Sequence, residues 1–236
     1  MVTERPDLLE ALADATRRIG SSEDLQSSLD TVITAVRQAL PGVTHAGISV
    51  SHEDGRIETL AGSDPFAFAL DELQFQLGEG PGLTVIQDGP VVTIEDAETD
   101  QRWPRFMQPA LALGLRSQMG VRIFLDGKTL GGLNLYATEV GVLRPALEPT
   151  AQLFAAHAAL ALGKARHEDN LMSALDTRKV IGQATGLVME RYKLTDDQAF
   201  QYLARVSQHS NVKLRRVAAE IVQQANDESL AQAMPA

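Results

Sequence analysis

The side chains best suited to chemistry in this chain are the cations of its C-terminal quarter. Residues 176–222 hold 8 Lys or Arg against 5 Asp or Glu, whereas residues 1–167 hold 13 against 22, in a chain of net charge −10. Ammonium and guanidinium groups bind phosphate oxygens, so a local cationic excess in an acidic protein favours binding of a polyanion. A solvated helix face is the alternative, because this excess is modest for a nucleic-acid-binding domain.

Three short amphipathic helices are predicted to position these cations. Apolar residues recur at helical spacing in three segments, 180–188, 199–206 and 214–222. Thr195 and Gln198 match a capping box at the start of the second helix, and Asn211 or Ser210 is a fitting N-cap for the third. Gly186 lies inside the first helix, where glycine costs up to about 1 kcal/mol relative to alanine. A close helix crossing would explain that glycine.

A different periodicity precedes this segment. Residues 7–40 are predicted to be helical, with a capping box at residues 21–24 and an end at Pro41-Gly42. From residue 43 to about residue 138, apolar residues alternate with polar ones, and turn sequences at Asp54-Gly55 and Asp126-Gly127 predict two hairpins. Helical insertions are expected at about 65–77 and 103–113. Helix then returns at 146–176 and continues as one stiff helix towards the basic segment, because no Pro or Gly cluster interrupts it.

Several kinds of chemistry are excluded or unsupported. The absence of cysteine excludes disulfides, thiolate metal sites and thiol nucleophiles. The five histidines have no metal-pair spacing, and no catalytic triad can be assembled, so no enzyme, catalytic residue or metal site is expected. The glycines of residues 78–82 are expected to form a turn rather than a phosphate-binding loop. No apolar run is long enough to cross a bilayer, and residues 1–7 lack the basic-then-apolar pattern of a secretory signal, so a soluble cytoplasmic protein is expected.

The C-terminal segment resembles the ANTAR domain, a small three-helix RNA-binding module of bacterial transcription antiterminators. The matching positions run in register over some forty-five residues: Arg178, Val180-Ile181-Gly182-Gln183-Ala184, Gly186, Met189-Glu190-Arg191, Leu194-Thr195, Ala199-Phe200, Ser207-Gln208, Asn211, Lys213-Leu214-Arg215 and Val217-Ala218. Thr185 departs from the pattern, because the family commonly has Lys there, and one phosphate contact is removed.

Residues from about 20 to 165 resemble a GAF sensor domain of the kind fused to ANTAR in actinobacteria. The matching segments are Gly78-Glu79-Gly80-Pro81-Gly82, Val91-Val92, Asp100-Gln101-Arg102-Trp103-Pro104 and Leu130-Gly131-Gly132-Leu133-Asn134-Leu135-Tyr136. Gly82 stands where relatives often carry Cys, so no role of that thiol carries over. The resemblance implies an α+β fold with a six-stranded antiparallel sheet flanked by helices, followed by a C-terminal three-helix bundle. The expected domains are residues 1–165 and 166–236.

Together the two resemblances imply a signal-responsive, RNA-binding transcription antiterminator. The partners implied are structured RNA stem-loops, a second copy of the chain in a homodimer, and a small-molecule effector of the sensor domain. Phosphate contact and base recognition would fall to Arg178, Lys179, Gln183, Arg191, Ser207, Asn211, Lys213, Arg215 and Arg216. Asn211 has the alternative role of a helix cap, and Ser207 that of a bond to its own helix backbone. Six aromatic residues are candidates for a ligand pocket or for plain core: Phe66, Phe68, Phe75, Trp103, Phe106 and Tyr136.

Two other functions stay open at this point. A DNA-binding regulator would place residues 211–226 in the major groove, with Lys213, Arg215 and Arg216 meeting phosphates or guanine. A ligand-binding dimerisation protein would use the C-terminal bundle to contact a protein partner. The acidity of the whole chain disfavours the first, and RNA binding by the bundle would disfavour the second.

Overall fold

The computed structural model describes residues 24–40 and 42–233, with side chains up to residue 227. The chain divides into two compact units, Met1–Ala165 and Arg166–Ala236. The predicted start of the first helix near residue 7 and most of its predicted capping box lie outside the described residues. None of the helices in the described part combines the length and apolar character needed to cross a bilayer.

The first unit is an α+β structure, as predicted. Its strands are β1 (His45–Ser51), β2 (Ile57–Gly62), β3 (Val91–Ile94), β4 (Ser117–Leu125) and β5 (Lys128–Ala137). Its helices are α1 (Leu25–Ala39), α2 (Pro65–Leu77), α3 (Pro81–Gln87), α4 (Pro104–Leu113) and the first part of α5 (Glu148–Tyr192), which follows a 3-10 turn at Pro145–Leu147. The strands form one antiparallel sheet in the order β2-β1-β5-β4-β3. The expected sixth strand is not found among the described residues.

Turn chemistry sets the register of both predicted hairpins. Asp126 and Gly127 join β4 to β5 with φ values of 49° and 78°, the paired positive φ that a tight type I′ turn requires. Gly55 between β1 and β2 has φ 83°, and the His52 amide donates to the Arg56 carbonyl at 2.8 Å. Helix α1 begins after Asp24, whose carboxylate accepts from the amides of Gln26 and Ser27.

The two faces of the sheet carry different cores. Alternate residues of β1, β4 and β5 pack with α1 and the start of α5 into one apolar cluster that includes Ile48, Met119, Leu133 and Phe154. The opposite face is covered by α2, α3 and α4, and its apolar cluster includes Leu70, Phe106 and Leu115. This second face also buries several polar side chains, described below.

Helix α3 was not predicted. Gly80 precedes it with φ 140°, and Pro81 occupies its first turn, so the glycine-rich segment at 78–82 is a helix entry rather than an isolated turn. Gly120 lies beneath this entry, where an added Cβ would come 3.0 Å from the Pro81 carbonyl oxygen. The missing side chain therefore lets α3 lie directly on the sheet.

The second unit contains three helices, as predicted: the end of α5, α6 (Asp196–Ser210) and α7 (Leu214–Ala233). Their apolar faces meet in a small core of Ala184, Val188, Ala199, Leu203, Val217 and Ala218. The predicted capping box is present, with the Thr195 hydroxyl accepting from the Gln198 amide and the Gln198 side chain accepting from the Thr195 amide. Helix α5 runs without a break for 45 residues, which confirms the predicted continuity.

Candidate nucleic-acid interface and a buried polar cluster

The start of α7 concentrates exposed cations. Lys213 precedes the helix, Arg215 and Arg216 lie in its first turn, and that turn contains no acidic residue. A helix N-terminus carries partial positive charge, so cations there oppose the helix dipole and cost stability. This placement is unfavourable for folding and favourable for an anion bound at the same place.

The cations at the start of α7, and those of α5 near them, form no ion pairs with described residues. Among the described residues, no carboxylate lies within 4.0 Å of the side-chain nitrogens of Arg178, Lys179, Lys213, Arg215 or Arg216. The Arg215 guanidinium donates to the Ser173 hydroxyl at 3.4 Å, which brings the start of α7 beside the turn of α5 that precedes Arg178. Five of the predicted site residues therefore belong to one unneutralised cationic region, here called the basic cluster: Arg178, Lys179, Lys213, Arg215 and Arg216.

An exposed face of α5 adjoins this cluster. Lys179, Gly182, Gln183 and Gly186 are all exposed and follow one another at helical spacing. A Cβ added at Gly186 would meet nothing within 4 Å, so the expected close helix crossing is wrong. The glycine therefore has no packing role, and its backbone lies open on the surface.

Two predicted site residues lie at the C-terminal end of α6, Ser207 within the helix and Asn211 directly after it. Asn211 ends α6 in the left-handed conformation, with φ 54° and ψ 31°, and α7 begins at Leu214. The expectation that Asn211 is the N-cap of the third helix is therefore wrong: its backbone closes the second helix, where Asn tolerates positive φ. The Ser207 hydroxyl is half-buried and donates to the Val212 carbonyl at 2.6 Å, across the turn.

The structure does not bring every predicted site residue together. Arg191 lies 13 residues after Arg178 on the same helix, about 20 Å along its axis at 1.5 Å per residue. The Thr185 side chain, at the position where a Lys was expected from the resemblance, is buried and its hydroxyl donates to the Ile181 carbonyl at 2.8 Å. A side chain at position 185 thus points into the bundle core.

A cluster of buried polar groups lies between the sheet and α2 in the first unit. The Asp71 carboxylate accepts from Asn134 Nδ2 at 2.7 Å and from the Tyr136 hydroxyl through one oxygen. Its other oxygen accepts from Thr59 Oγ1 at 2.8 Å and Ser49 Oγ at 3.3 Å. Four donors and no described cation surround this fully buried carboxylate.

Burial dominates the electrostatics of this cluster. Removal from water raises the pKa of Asp71 to about 6, although the four hydrogen bonds act in the opposite direction. Burial, and then the nearby Asp71 charge, raise the pKa of the Tyr136 phenol above its ordinary value. Asp71 is therefore a buried group whose charge changes at about pH 6.

Glutamine side chains extend the cluster towards α3. Gln74 Nε2 donates to the Tyr136 hydroxyl at 3.1 Å, and Gln74 Oε1 accepts from the Gly82 amide at 2.8 Å and from Gln118 Nε2 at 3.3 Å. Asn134 Oδ1 and Gln118 Oε1 are buried without a hydrogen-bond partner in the structure. A Cβ at Gly82 would overlap the Asn134 amide, so the absence of a side chain at 82 makes room for that amide.

Sequence reasoning missed this cluster. Asp71 and Gln74 are spaced i, i+3 on a helix whose other buried residues are Ala67 and Leu70, and Asn134 alternates with Leu133 and Leu135 on β5. Polar residues on the inward face of otherwise apolar elements were the available signal. The six aromatic candidates divide: Trp103, Phe106 and Tyr136 are buried core, Phe66 and Phe75 are half-buried, and Phe68 is 42% exposed.

No group of three or more His, Asp or Glu side chains in the described part of the chain is arranged to hold a metal ion. Among the described side chains of the polar cluster, Asp71 is the single acidic residue. What the cluster offers is a set of buried hydrogen-bond acceptors, two of them unsatisfied.

Comparisons with known proteins agree with this architecture. Residues 22–163 match the GAF domain family and residues 169–222 match the ANTAR domain. No curated protein matches the sequence significantly.

Solved structures share the fold of the first unit. A GAF domain from an Acinetobacter phosphoenolpyruvate-protein phosphotransferase is 22% identical, with a TM-score of 0.55, 69% of this chain covered and 97% of the other. The GAF domain of a phosphoenolpyruvate-protein phosphotransferase from Coxiella burnetii is 19% identical, with a TM-score of 0.54, 71% of this chain covered and 99% of the other. The free methionine-R-sulfoxide reductase of Neisseria meningitidis is 13% identical, with a TM-score of 0.56, 71% of this chain covered and 95% of the other. At these identities the likeness concerns the fold alone.

Proposed function

The chain belongs to the GAF domain family and also carries an ANTAR domain, and on that premise we propose that it is a signal-responsive, RNA-binding transcription antiterminator of the actinobacterial type. In this proposal residues 1–165 form the sensor and residues 166–236 grip paired RNA stem-loops, so that transcription continues. It acts in the cytoplasm. GAF and ANTAR domains are regulatory domains, and we assign no catalytic step to either.

One observation carries the proposal: the basic cluster is exposed, lacks carboxylate partners among the described residues, and has cations at the helix end where they oppose the dipole. Such an arrangement destabilises the folded protein in the absence of a ligand, and bound phosphates would offset this cost. Gln183, which follows Lys179 on the exposed face of α5, extends the contact surface, and Asn211 borders it from the turn.

RNA titration tests the proposal. The full chain is titrated with an RNA of two stem-loops at several salt concentrations, with scrambled RNA and duplex DNA as competitors. If the five cations of the basic cluster each contact a phosphate, log K should fall with log salt at a slope of about −3 to −4. A flat salt response, or equal affinity for scrambled RNA, would exclude specific recognition. Preference for the duplex would favour the DNA-binding alternative.

Gly186 provides a prediction in which stability and binding move in opposite directions. Gly186→Ala should raise the free energy of unfolding by up to about 1 kcal/mol, because an exposed helical glycine is replaced by the best helix former. The same change should weaken RNA binding if the bare backbone allows a close approach of the RNA. Denaturant unfolding and RNA titration measure the two effects.

Gly163→Ala, on the same helix, is the comparison. Its added Cβ would overlap the Leu125 side chain, so its gain in stability should be smaller or replaced by a loss. If Gly186→Ala binds RNA as tightly as the wild type does, the face around Gly186 is not part of the interface.

Assembly as a homodimer is the second component of the proposal. Helix α5 exposes Leu171, Met172 and Leu175 by 55, 61 and 51% in the second unit, and every side chain from residue 167 to residue 176 is exposed. A helix segment with no buried residue is marginally stable in water, and its apolar side chains gain free energy when they are covered. A second copy of the same helix offers an equivalent apolar surface.

Glutamate at two of these positions should separate the copies. The variant Leu171→Glu/Leu175→Glu should elute as a monomer in size-exclusion chromatography with light scattering, because four carboxylates would face one another in a dimer. Val140→Glu, at a residue 53% exposed in the first unit, is the control and should leave the mass unchanged. A wild-type monomer at all concentrations would contradict the homodimer.

The sensing role is assigned to the first unit. The unsatisfied Asn134 and Gln118 oxygens mark a place where hydrogen-bond donors of a small-molecule effector would be recognised. In the structure this place is filled by the side chains of the cluster, so an effector would have to displace Gln74 or move α3.

A further inference from the structure

The second unit contains a groove that the basic cluster does not use. It has a volume of about 340 Å³ and lies between the end of α5, the middle of α6 and the middle of α7. Its lining includes Leu187, Tyr192, Tyr202, Glu220 and Ile221. This volume falls within the range of small-ligand sites, whereas the basic cluster is an open surface.

Two tyrosines form one wall of the groove. The rings of Tyr192 and Tyr202 are 5.5 Å apart between centroids and tilted by 38°, a geometry typical of aromatic pairs. Tyr192 comes from the last residue of α5 and is 52% exposed, so much of its ring surface is uncovered by the protein. An exposed aromatic ring held in place by a second ring is a platform on which a planar group can stack.

Charged groups flank this aromatic pair on both sides. Arg191 lines the groove itself. A neighbouring recess of about 310 Å³ shares Tyr202 and is lined by Arg205 and His209. Arg205 is exposed, and no carboxylate within the described residues forms an ion pair with it. Phosphates on either side of a stacked base would thus find cations.

Glu220 restricts what can enter. A carboxylate in the groove repels phosphate, so the backbone of a nucleic acid is not expected inside it. The same carboxylate accepts hydrogen bonds from an amino group, such as those of adenine, guanine and cytosine. Glu220 is exposed, so the apolar face of a protein helix that covered it would leave its carboxylate buried and unpaired, at a cost of several kcal/mol.

We propose that the Tyr192–Tyr202 groove is a recognition pocket for one unpaired, amino-bearing base of the RNA, which stacks on Tyr192 while Glu220 accepts from its edge. The inference rests on the proposed RNA-binding function and adds to it a site of base selection separate from phosphate contact. Stacking on an aromatic side chain contributes about 1–3 kcal/mol per base, which is about 5- to 150-fold in affinity.

A double-mutant cycle between protein and RNA tests the pocket. Each unpaired loop nucleotide of a bound stem-loop is replaced in turn by an abasic residue, and binding is measured with wild type, Tyr192→Ala and Tyr192→Phe. We expect one abasic position to weaken wild-type binding by about 5- to 150-fold and Tyr192→Ala to weaken the intact RNA by a similar factor. The two losses should not add, and Tyr192→Phe should bind nearly as the wild type does.

Glu220→Gln tests the edge contact. At the abasic-sensitive position, wild type should bind uracil less tightly than the amino-bearing bases, and Glu220→Gln should reduce this difference. Glu190→Gln, an exposed residue of α5 outside the groove, is the matched control and should leave the discrimination unchanged.

The outcomes separate this inference from the proposed function. If wild type binds no stem-loop, the proposed function fails and the pocket with it. Circular dichroism first establishes that Tyr192→Ala is folded. If wild type binds the stem-loop and Tyr192→Ala binds every RNA as tightly as wild type does, the pocket is wrong and the proposed function stands. Additive losses in the cycle would also overturn the pocket. A changed oligomeric state of Tyr192→Ala with unchanged RNA affinity would assign the groove to contact between proteins.

Discussion

Replacing Lys213, Arg215 and Arg216 together by alanine is expected to weaken RNA binding about 100-fold without loss of stability. Each lost phosphate contact removes roughly 1 kcal/mol of net interaction, so three contacts correspond to about two orders of magnitude. The slope of log K against log salt should become less steep by about 2, because fewer counterions are released. Filter binding or fluorescence anisotropy at four salt concentrations measures both quantities.

The stability of the same variant distinguishes a binding role from a structural one. These cations lie before or within the first turn of α7, where they oppose the helix dipole, so their removal should leave the midpoint of thermal unfolding unchanged or slightly raised. The matched control replaces three exposed cations of the first unit, Arg56, Arg105 and Lys128, and should retain RNA affinity. An equal loss of affinity in the control would indicate a general charge effect instead of a defined interface.

Asp71 is expected to have the largest single-residue effect on the stability of the first unit. Asp71→Ala leaves the donors of Thr59, Asn134 and Tyr136 without an acceptor and opens a small cavity, so the free energy of unfolding should fall by about 3–5 kcal/mol. Asp71→Asn retains a carbonyl oxygen for Asn134 and Tyr136, and its amide can donate to the hydroxyls of Ser49 and Thr59. This variant should fold.

The pH dependence of the free energy of unfolding shows whether ionised Asp71 stabilises or destabilises the folded protein. The pKa of Asp71 is raised from its ordinary value of 3.8 to about 6 in the folded protein, so the folded state binds the proton more tightly. Stabilisation by protonated Asp71 is complete below pH 4 and is lost as the pH rises to 6. The loss is up to about 3 kcal/mol, at 1.36 kcal/mol per unit of pKa. Asp71→Asn lacks this loss and should be more stable than wild type at pH 8.

The difference in unfolding free energy between Asp71→Asn and wild type, measured by denaturant titration from pH 4 to pH 8, isolates Asp71 from the other titrating groups. This difference should increase between pH 4 and pH 6 and then level off. Asp126→Asn, in the exposed β4–β5 turn, is the control and should show no such increase. A constant difference for Asp71→Asn would mean that the folded carboxyl titrates with its ordinary pKa.

Local patterns predicted most of the elements. Alternation and the Asp-Gly turns predicted β1, β2, β4 and β5, because a hairpin is specified by residues that are close in sequence. Thr195 and Gln198 predicted the start of α6 for the same reason. Helix α3 was missed because it has only seven residues, which is too short for a recognisable period.

Residues defined by contacts distant in sequence were predicted less well. Asn211 was expected to begin a helix but ends one, because the hydrogen bond from Ser207 to Val212 closes the turn around it and α7 starts three residues later. Gly186 was expected at a close crossing, yet its face of α5 is open. The types of the neighbouring residues in the sequence predict neither outcome.

The sequence by itself determined the α+β class, the three-helix bundle, the continuous α5 and the cationic character of residues 176–222, because periodicity, caps and charge are local properties. Only the tertiary structure decided that Arg215 lies beside the turn before Arg178, that Tyr192 and Tyr202 share a groove, and that Asp71 is buried among donors from three strands. These relations join residues 10 to 65 positions apart, and their distances depend on how the helices and strands pack.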